Sequence, residues 1–391
     1  MKKILNYLTY IGYVIYYIFA LCIGFFAKRT PYYRNLWLIS ERQTDARDNG
    51  YHFFRYLRCE HPEVNCAYII SRESPDYKKT AELGKTIEPQ SFRHMIAYAC
   101  ASVYIFTHYI SSAPDTYRFA ILRRFGFVRG KSVMLQHGII ANDLTELHYP
   151  TAKADIFVCS AKAEYEYITE RYNYPYGVVK RLGLCRYDRL LSGHDEKKRI
   201  LVMPTWRYFL RGLSDEDFKK SEYFKNFNSL INDEALGKAM EEQGYEIVLY
   251  LHYELQRYAH LFEEKSKRVH VLKMSDADVQ QLLMESKLLV TDYSSVFFDF
   301  AYMSKPLVYL QFDEDRFFET QYERGYFSCR RDGFGPVMNR VDEAVGFIVD
   351  KLNGGVETDE KYKNRVSEFF GEMTGNNCEK TYAEVKKILK H

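Results

Sequence analysis

Short apolar runs alternate with amphipathic segments through the first half of the chain. The runs that predict buried strands are Leu36–Ser40, Ala67–Ser71, Ser102–Thr107, Ser132–Gln136 and Asp155–Ser160. Between them, Asp45–Cys59 and Ser91–Cys100 repeat apolar residues at helical spacing. Because strands and helices alternate, the pattern predicts an α/β domain of the Rossmann-like, doubly wound kind.

A polar stretch, residues 192–198, interrupts the alternation and predicts a linker. The strand pattern resumes at Arg199–Met203, Glu246–Leu251, Val269–Leu272, Leu288–Thr291 and Leu307–Leu310. We therefore predict one Rossmann-like domain over residues 30–191, a second over residues 199–340, and terminal helices over residues 341–391. We expect the two domains to face each other across a cleft that collects ligands at the carboxyl ends of the strands.

The first 29 residues differ from the rest because no charged residue occurs from Ile4 to Ala27. At about 1.5 Å per residue, a helix of this length could cross a hydrocarbon core. On a helical wheel tyrosines gather on one side, which also suits a helix lying in the membrane plane. A buried core helix is the alternative. We expect residues 1–29 to form a membrane-associated helix, whether it spans the membrane or lies in its plane. If it spans, the basic residues after it favour a cytoplasmic location for the remainder of the chain.

Bulk composition narrows the class of protein. Of the 391 residues, 47% are apolar and 27% are charged, which indicates a globular chain. The net charge of +3 is too small to indicate a nucleic acid partner. Eight cysteines without a C-x-x-C pair predict reduced thiols rather than a zinc site or disulfides. The sequence lacks G-x-x-x-x-G-K-[ST], H-E-x-x-H and G-x-S-x-G motifs, and it predicts no metal or cofactor site.

The segment Lys287–Ala301 holds the most informative local pattern. An apolar strand ends at Asp292, a tight turn carries Ser294 and Ser295, and an apolar helix begins. A strand-to-helix turn with two hydroxyl groups is suited to binding a phosphate. A helix cap without any ligand is the alternative for either serine.

Two histidines follow predicted strands. His137 precedes a glycine after the run at 132–136, and His252 follows the run at 246–251. An imidazole at the carboxyl edge of a sheet can accept a proton from an attacking hydroxyl or donate to a phosphate oxygen. A histidine bonded locally in its turn is the alternative for each. Arg207 and Arg324 lie near the same predicted edges and offer guanidinium groups to phosphate, although most surface arginines are simply solvated.

In their order along the chain, these pieces resemble the CDP-glycerol glycerophosphotransferase family, which contains the teichoic acid primases and polymerases. The residues that carry the resemblance are Gln136-His137-Gly138, Pro204-Thr205-Trp206-Arg207, Leu251-His252, Asp278–Leu283, Val290–Phe300, Lys305-Pro306, Asp313, Arg324-Gly325-Tyr326 and Gly335-Pro336. The T-D-Y-S-S-x-x-F-D-F element within Val290–Phe300 is the most specific of them.

The resemblance implies a GT-B fold and an enzyme that moves polyol phosphate from CDP-glycerol or CDP-ribitol to a hydroxyl of the acceptor, releasing CMP. It implies that the acceptor is a lipid-linked teichoic acid or capsular polymer at the cytoplasmic face of the cell membrane. By the same resemblance, His137 is the catalytic base and His252 contacts the donor phosphate. The implied donor-binding residues are Thr205, Arg207, Asp292, Ser294, Ser295, Arg324 and Gly325.

The sequence departs from the family pattern in two places. Ile139–Asn142 replaces the usual Thr-Pro-Leu-Lys beside the implied acceptor path, and Tyr253 replaces the usual proline after His252. Two other functions stay open as alternatives. One is a GT-B glycosyltransferase with a nucleotide sugar donor, because the fold does not choose the donor. The other is a non-catalytic membrane scaffold.

Overall fold

The chain forms two compact units, each built on one parallel sheet. The computed structural model describes residues 2–124 and 126–390, with side chains from residue 11 onward except that of Arg124. Unit 1 comprises the described residues of Met1–His137, Leu144–Asp188 and Thr374–His391, and unit 2 comprises Gly138–Asp143 and Arg189–Met373. The prediction of two Rossmann-like α/β domains is confirmed.

Unit 1 contains a seven-stranded parallel sheet. Its strands are β1 Trp37–Ser40, β2 Cys66–Ile69, β3 Lys85–Ile87, β4 Val103–Phe106, β5 Lys131–Met134, β6 Ile156–Cys159 and β7 Val179–Arg181. The strand order is β3-β2-β1-β4-β5-β6-β7, so the direction of winding reverses between β1 and β4. In doubly wound sheets, the carboxyl ends of the two strands at such a reversal border a crevice.

Unit 2 contains a six-stranded parallel sheet with the order β10-β9-β8-β11-β12-β13. Its strands are β8 Lys197–Val202, β9 Glu246–Tyr250, β10 Val269–Leu272, β11 Ser286–Thr291, β12 Leu307–Leu310 and β13 Val337–Met338. Here the winding reverses between β8 and β11, which pair in parallel. The buried aliphatic residues of these two strands lie at the centre of the core of unit 2.

The α-helices connect and cover the strands. They are α1 Lys2–Ala27, α2 Asn49–Glu60, α3 Tyr77–Leu83, α4 Phe92–Cys100, α5 Thr116–Arg124, α6 Tyr149–Ala152, α7 Lys162–Arg171, α8 Tyr187–Leu190, α9 Asp215–Lys220, α10 Glu222–Ile231, α11 Glu234–Gln243, α12 Val279–Glu285, α13 Val296–Tyr302, α14 Glu314–Thr320, α15 Cys329–Asp332, α16 Val341–Gly354, α17 Glu360–Phe370 and α18 Asn377–Ile388. Short 3₁₀ helices occupy Thr145–Leu147, Tyr208–Leu210 and Tyr253–Leu261.

Three strands went unpredicted, and each lies at or next to the end of its sheet in the strand order. They are β3, β7 and β13, which have two or three residues each and are mostly half-buried or exposed. An edge strand packs on one neighbour and needs no continuous apolar run, so it leaves no run of this kind in the sequence.

The C-terminal helices do not form the single group that the sequence pattern predicted. Helices α16 and α17 belong to unit 2, whereas α18 belongs to unit 1. The carboxylate of Asp188 accepts the backbone N–H groups of Asn377 and Cys378 at the start of α18. Cys378 and Val385 then join the buried core of unit 1, which fixes the helix there.

Helix α1 packs against α4 of unit 1 along one side. Tyr17 and Ala20 are buried there, and the ring of Tyr17 meets that of Phe119 edge-on at 4.9 Å. Gly24 lies close to Cys100, whose thiol donates to the Gly24 carbonyl. Among the tyrosines that the helical wheel places on one side, Tyr10 lies outside the described side chains.

The spanning alternative for α1 is not supported. Within residues 2–124 and 126–390, no helix combines the length and apolar character needed to cross a membrane. Five tyrosines among the 26 residues of α1 lower its mean hydropathy.

Candidate functional site

His137 lies where the sequence analysis placed it, just beyond the carboxyl end of a central strand of unit 1. Strand β5 ends at Met134, and the next turn includes Gln136, whose φ of +67° bends the chain sharply. Gln136 is buried, and its carbonyl accepts a hydrogen bond from the side chain of Asn49 at 2.8 Å. The imidazole of His137 is 57% exposed, so a substrate can reach it.

Asp48 orients the His137 ring. Its Oδ2 lies 2.6 Å from His137 Nδ1, and its other oxygen accepts the first backbone N–H of α2. A carboxylate at this distance holds the proton on Nδ1, which leaves Nε2 as the lone-pair nitrogen. The pair therefore has the arrangement of a general base with an orienting carboxylate.

Arg186 completes this cluster. Its Nη1 lies 2.8 Å from Asp48 Oδ1 and also donates to the His137 carbonyl, while its backbone N–H donates to Asn49. Burial alone would raise the pKa of Asp48, but His137 and Arg186 together outweigh burial and hold that pKa well below its ordinary value. Asp48 is therefore a fixed negative charge at neutral pH.

His108 is a second imidazole beside the base. Its ring centroid lies 4.6 Å from that of His137, and its Nδ1 lies 2.9 Å from the hydroxyl of Thr107. Burial, with a smaller contribution from His137, lowers the pKa of His108 to about 3. His108 is therefore neutral at physiological pH and adds no positive charge next to the base.

The predicted strand-to-helix turn of unit 2 is present as expected. Strand β11 ends at Thr291 and α13 begins at Val296. Ser294 is half-buried, Ser295 is exposed, and Ser295 forms no capping bond through its side chain. The alternative in which the Ser295 side chain only caps the helix is therefore wrong.

Asp292 is buried and holds the turn together through hydrogen bonds and an ion pair. Its Oδ1 accepts the backbone N–H groups of Thr205 at 2.7 Å and Tyr293 at 2.6 Å, and its other oxygen pairs with Arg207 at 2.8 Å. With no exposed surface, Asp292 shapes the loop after β11 and does not itself face solvent. Thr205 has a buried hydroxyl with no partner among the described residues, so a bound ligand could use it.

Arg207 does not occupy the position expected of a phosphate ligand. Its side chain is fully buried, and its Nε and Nη2 bind the carboxylate of Asp313 at 2.7 and 2.9 Å. Nη2 also pairs with Asp292, and Nη1 donates to the carbonyls of Thr205 and Trp206. Each of the three guanidinium nitrogens is therefore already engaged by protein groups.

The charge balance around Arg207 explains why it tolerates burial. Burial alone would lower the pKa of the guanidinium, but Asp292 and Asp313 outweigh burial and raise that pKa above its ordinary value. The rings of Tyr293 and Phe317 lie 5.0 and 5.1 Å from the guanidinium carbon. The structure thus makes Arg207 a buried link between the loop after β8, the turn after β11 and Asp313.

His252 follows β9, as predicted. Its Nδ1 accepts the backbone N–H of Glu254 at 3.3 Å, which places the ring proton on Nε2. A neutral ring with this tautomer donates a hydrogen bond, as contact with a phosphate oxygen requires. The ring lies nearly parallel to that of Trp206, with the centroids 6.0 Å apart.

Arg324 and Gly325 lie in the loop before α15. The Arg324 guanidinium is 55% exposed, pairs with Glu314 at 2.8 Å and lies over the ring of Phe318. A Cβ on Gly325 would come within 2.1 Å of the carbonyl oxygen of Ala141, so only glycine fits this close approach. The segment that departs from the family pattern, 139–142, is the one packed on Gly325.

The structure thus joins Thr205, Arg207 and Asp292 directly, and it places His137 in unit 1 and the other predicted site residues in unit 2. Asp48, Arg186 and His108 were missed by the sequence analysis, since their partners lie far along the chain; 89 positions separate Asp48 from His137. Among the described residues, no group of three or more potential ligands could hold a metal ion.

Comparisons with known proteins identify relatives of this chain. The chain is 32% identical over 369 residues to the minor teichoic acid biosynthesis protein GgaB of Bacillus subtilis (strain 168), covering 90% of this chain and 40% of that protein. It is 27% identical over 203 residues to a teichoic acid poly(glycerol phosphate) polymerase of Bacillus spizizenii (strain ATCC 23059 / NRRL B-14472 / W23), covering 52% and 48%. The chain spans less than half the length of both curated relatives.

The fold has a close counterpart among solved structures. The wall teichoic acid polymerase TagF superposes with a TM-score of 0.70 at 16% identity, covering 100% of this chain and 98% of that one. The sequence match extends well beyond the motifs, since residues 25–387 match one family throughout. This chain belongs to the CDP-glycerol:poly(glycerophosphate) glycerophosphotransferase family.

Proposed function

We propose that the chain transfers glycerol phosphate from CDP-glycerol to a hydroxyl of a teichoic acid acceptor. The acceptor oxygen attacks the β-phosphorus, a new P–O bond forms, the pyrophosphate bond breaks, and CMP leaves. His137 Nε2 takes the proton of the attacking hydroxyl. The observation that carries this proposal is the 2.6 Å contact between Asp48 and His137, which fixes the tautomer that a base requires.

Donor binding is assigned to unit 2. In this proposal, the Nε2–H of His252 and the hydroxyl groups of Ser294, Ser295 and Thr205 donate hydrogen bonds to the phosphate oxygens of CDP-glycerol. Arg324 supplies the exposed positive charge that Arg207 does not. Phosphoryl transfer depends chiefly on positioning and on stabilising charge, and these groups supply both.

The acceptor class comes from the relatives and is proposed for this chain. Both relatives compared above act, by their names, in teichoic acid biosynthesis. We propose a membrane-linked polymer of this kind, whose free hydroxyl is the nucleophile.

The nucleotide released identifies the donor. We expect the purified chain, given a lipid-linked acceptor, to release CMP from CDP-glycerol. The measurement is nucleotide release, run in parallel with CDP-glycerol, CDP-ribitol and a UDP-sugar. Release of CMP from CDP-ribitol alone would identify ribitol phosphate as the transferred group. Release of UDP from the UDP-sugar would contradict the proposal and indicate glycosyl transfer. Binding of no CDP-polyol at all would leave only a scaffold role.

We propose further that α1 attaches unit 1 to the cytoplasmic face of the cell membrane by lying in the interface. Its outward side exposes large apolar residues, namely Ile11, Ile15, Ile18, Phe19, Phe25 and Phe26. Lys28 and Arg29 lie over the ring of Phe25, at the end of this surface. Apolar residues flanked by cations are typical of helices that insert partway into anionic membranes.

Vesicle flotation tests this attachment. We expect the full chain to float with vesicles containing phosphatidylglycerol, and the double variant Ile15→Asp, Phe19→Asp to lose most of the bound fraction because charges replace the inserted side chains. The matched control is Tyr176→Asp with Met274→Asp, two exposed apolar positions elsewhere. Equal flotation of both double variants would refute the proposal.

A further inference from the structure

Glu41 is the first residue after β1, and its side chain is buried where the winding of the sheet of unit 1 reverses. This side chain accepts three backbone N–H groups. Its Oε1 accepts those of Asp48 at 2.9 Å and Tyr51 at 2.6 Å, and its Oε2 accepts that of Arg47 at 2.9 Å. One carboxyl group therefore fixes the backbone at and on both sides of Asp48, the residue that orients His137.

The position of Asp48 decides the geometry of the proposed base. Its Oδ2 lies 2.6 Å from Nδ1 of His137, and its Oδ1 accepts the backbone N–H of Asn49 at the start of α2. A short side chain such as that of aspartate moves with the backbone that carries it. A small shift of this loop therefore lengthens the contact that keeps the proton on Nδ1 of His137.

Gly50, in the first turn of α2, leaves the space that Glu41 occupies. A Cβ at this position would come within 2.9 Å of Cγ of Glu41. The φ angle of Gly50 is not positive, so the backbone conformation itself does not require glycine. Because glycine within a helix costs stability relative to alanine, the close approach of Glu41 is the physical reason for glycine here.

A carboxyl group is unfavourable at this position apart from its hydrogen bonds. Burial, with a smaller contribution from Asp48, raises the pKa of Glu41, whereas the N–H groups that it accepts oppose this shift. An apolar side chain of similar size would avoid both the burial of a carboxyl group and the repulsion from Asp48. What Glu41 provides instead is three hydrogen bonds to the loop that carries Asp48.

We infer that Glu41 is a positioning residue for the transfer reaction, which holds the loop of residues 47–51 so that Asp48 keeps His137 in the tautomer of a base. The inference rests on the proposed function and deepens it, because it assigns the group through which the fold sets the contact between Asp48 and His137. Glu41 acts through Asp48, so its removal should matter only while Asp48 retains its carboxylate.

Steady-state kinetics of single and double variants test this role. We expect Glu41→Gln to lower kcat for CMP release about tenfold, because the amide nitrogen cannot accept the N–H of Arg47 and the loop shifts. The KM for CDP-glycerol should change less than about twofold, since the donor is assigned to unit 2. In an Asp48→Asn background, Glu41→Gln should lower kcat less than about twofold, because its effect passes through the carboxylate already removed. Fully additive losses in the double variant would overturn the inference.

Glu88→Gln is the matched control. Glu88 also accepts a backbone N–H, that of Arg72 at 2.9 Å, but it lies in the loop after β3. This variant should keep the kcat of the wild-type chain. An equal loss of kcat in Glu88→Gln and Glu41→Gln would show a general effect on unit 1 and would overturn the inference.

The tautomer of His137 provides a readout that does not depend on turnover. Long-range proton–nitrogen NMR spectra of the full chain with labelled histidine, assigned by comparison with His137→Ala, should show the proton on Nδ1 of the neutral ring. In Glu41→Gln we expect a mixture of both tautomers, because Asp48 no longer holds Nδ1–H firmly. An unchanged tautomer in this variant would overturn the inference.

Gly50→Ala carries the same test if Glu41→Gln does not fold. Alanine favours the helix but its Cβ displaces Glu41, so kcat should fall and the tautomers of His137 should mix in a folded chain. Wild-type kcat and tautomer in Gly50→Ala would overturn the inference. If the tautomer changes as expected but the wild-type chain releases no CMP, the proposed function is refuted and Glu41 keeps its role in orienting His137.

Discussion

Replacing His137 with alanine is expected to lower kcat for CMP release by about 10²–10⁴-fold, the range that a positioned general base contributes. The loss follows because Nε2 of His137, with Nδ1 held by Asp48, is the proton acceptor. The donor-binding groups proposed above belong to unit 2, so the Kd for CDP-glycerol should stay close to that of the wild-type chain. Nucleotide release and equilibrium binding of CDP-glycerol are the two measurements.

Two further variants sharpen this result. Asp48→Asn keeps the shape of the side chain but removes the negative charge that faces His137, so its kcat should fall between those of wild type and His137→Ala. His260→Ala removes an exposed histidine of unit 2 and should behave as wild type. Wild-type turnover by His137→Ala would remove this histidine from the mechanism.

The fold was largely predictable because the central strands of both sheets are continuous apolar runs. Strands buried on both faces, such as β4 and β12, leave this signal directly in the sequence. The end of the linker predicted at 192–198 was wrong, because Lys197 and Lys198 already belong to β8. Both lysines are exposed at the start of the strand, where their charged side chains reach water. The strand therefore begins without the apolar residues by which strands are predicted.

The candidate site residues were predictable only where they directly follow a strand that the sequence itself predicts. His137, His252 and the turn at Ser294 follow strands, and strand ends are visible in the sequence. Asp48 and Arg186 act through contacts that form only when the sheet of unit 1 brings three separate segments together. The role of Arg207 was misread for a related reason, because sequence does not show that two carboxylates already occupy its donors.

The buried cluster around Arg207 holds several loops of unit 2 together. Arg207 links the loop after β8, the turn after β11 and Asp313 before α14. Removing one member of a buried ion cluster leaves charges without compensation, which costs more than the intact cluster contributes. The effect of a substitution here is therefore set by the partners left behind.

Arg207→Met is expected to lower the free energy of unfolding by about 3–5 kcal/mol, because the carboxylates of Asp292 and Asp313, with side chains 0% and 6% exposed, lose their positive partner. Urea unfolding measures the change, and weaker binding of CDP-glycerol should accompany it as the turn at Ser294 loses its support. Adding Asp292→Asn and Asp313→Asn to Arg207→Met should recover part of the stability, since no buried charge then lacks a partner. Arg340→Met breaks an exposed pair with Asp342 and should leave the free energy of unfolding close to that of the wild-type chain. A loss as small as this in Arg207→Met would show that water or an anion reaches the cluster, and would return Arg207 to the phosphate-binding role that its motif first indicated.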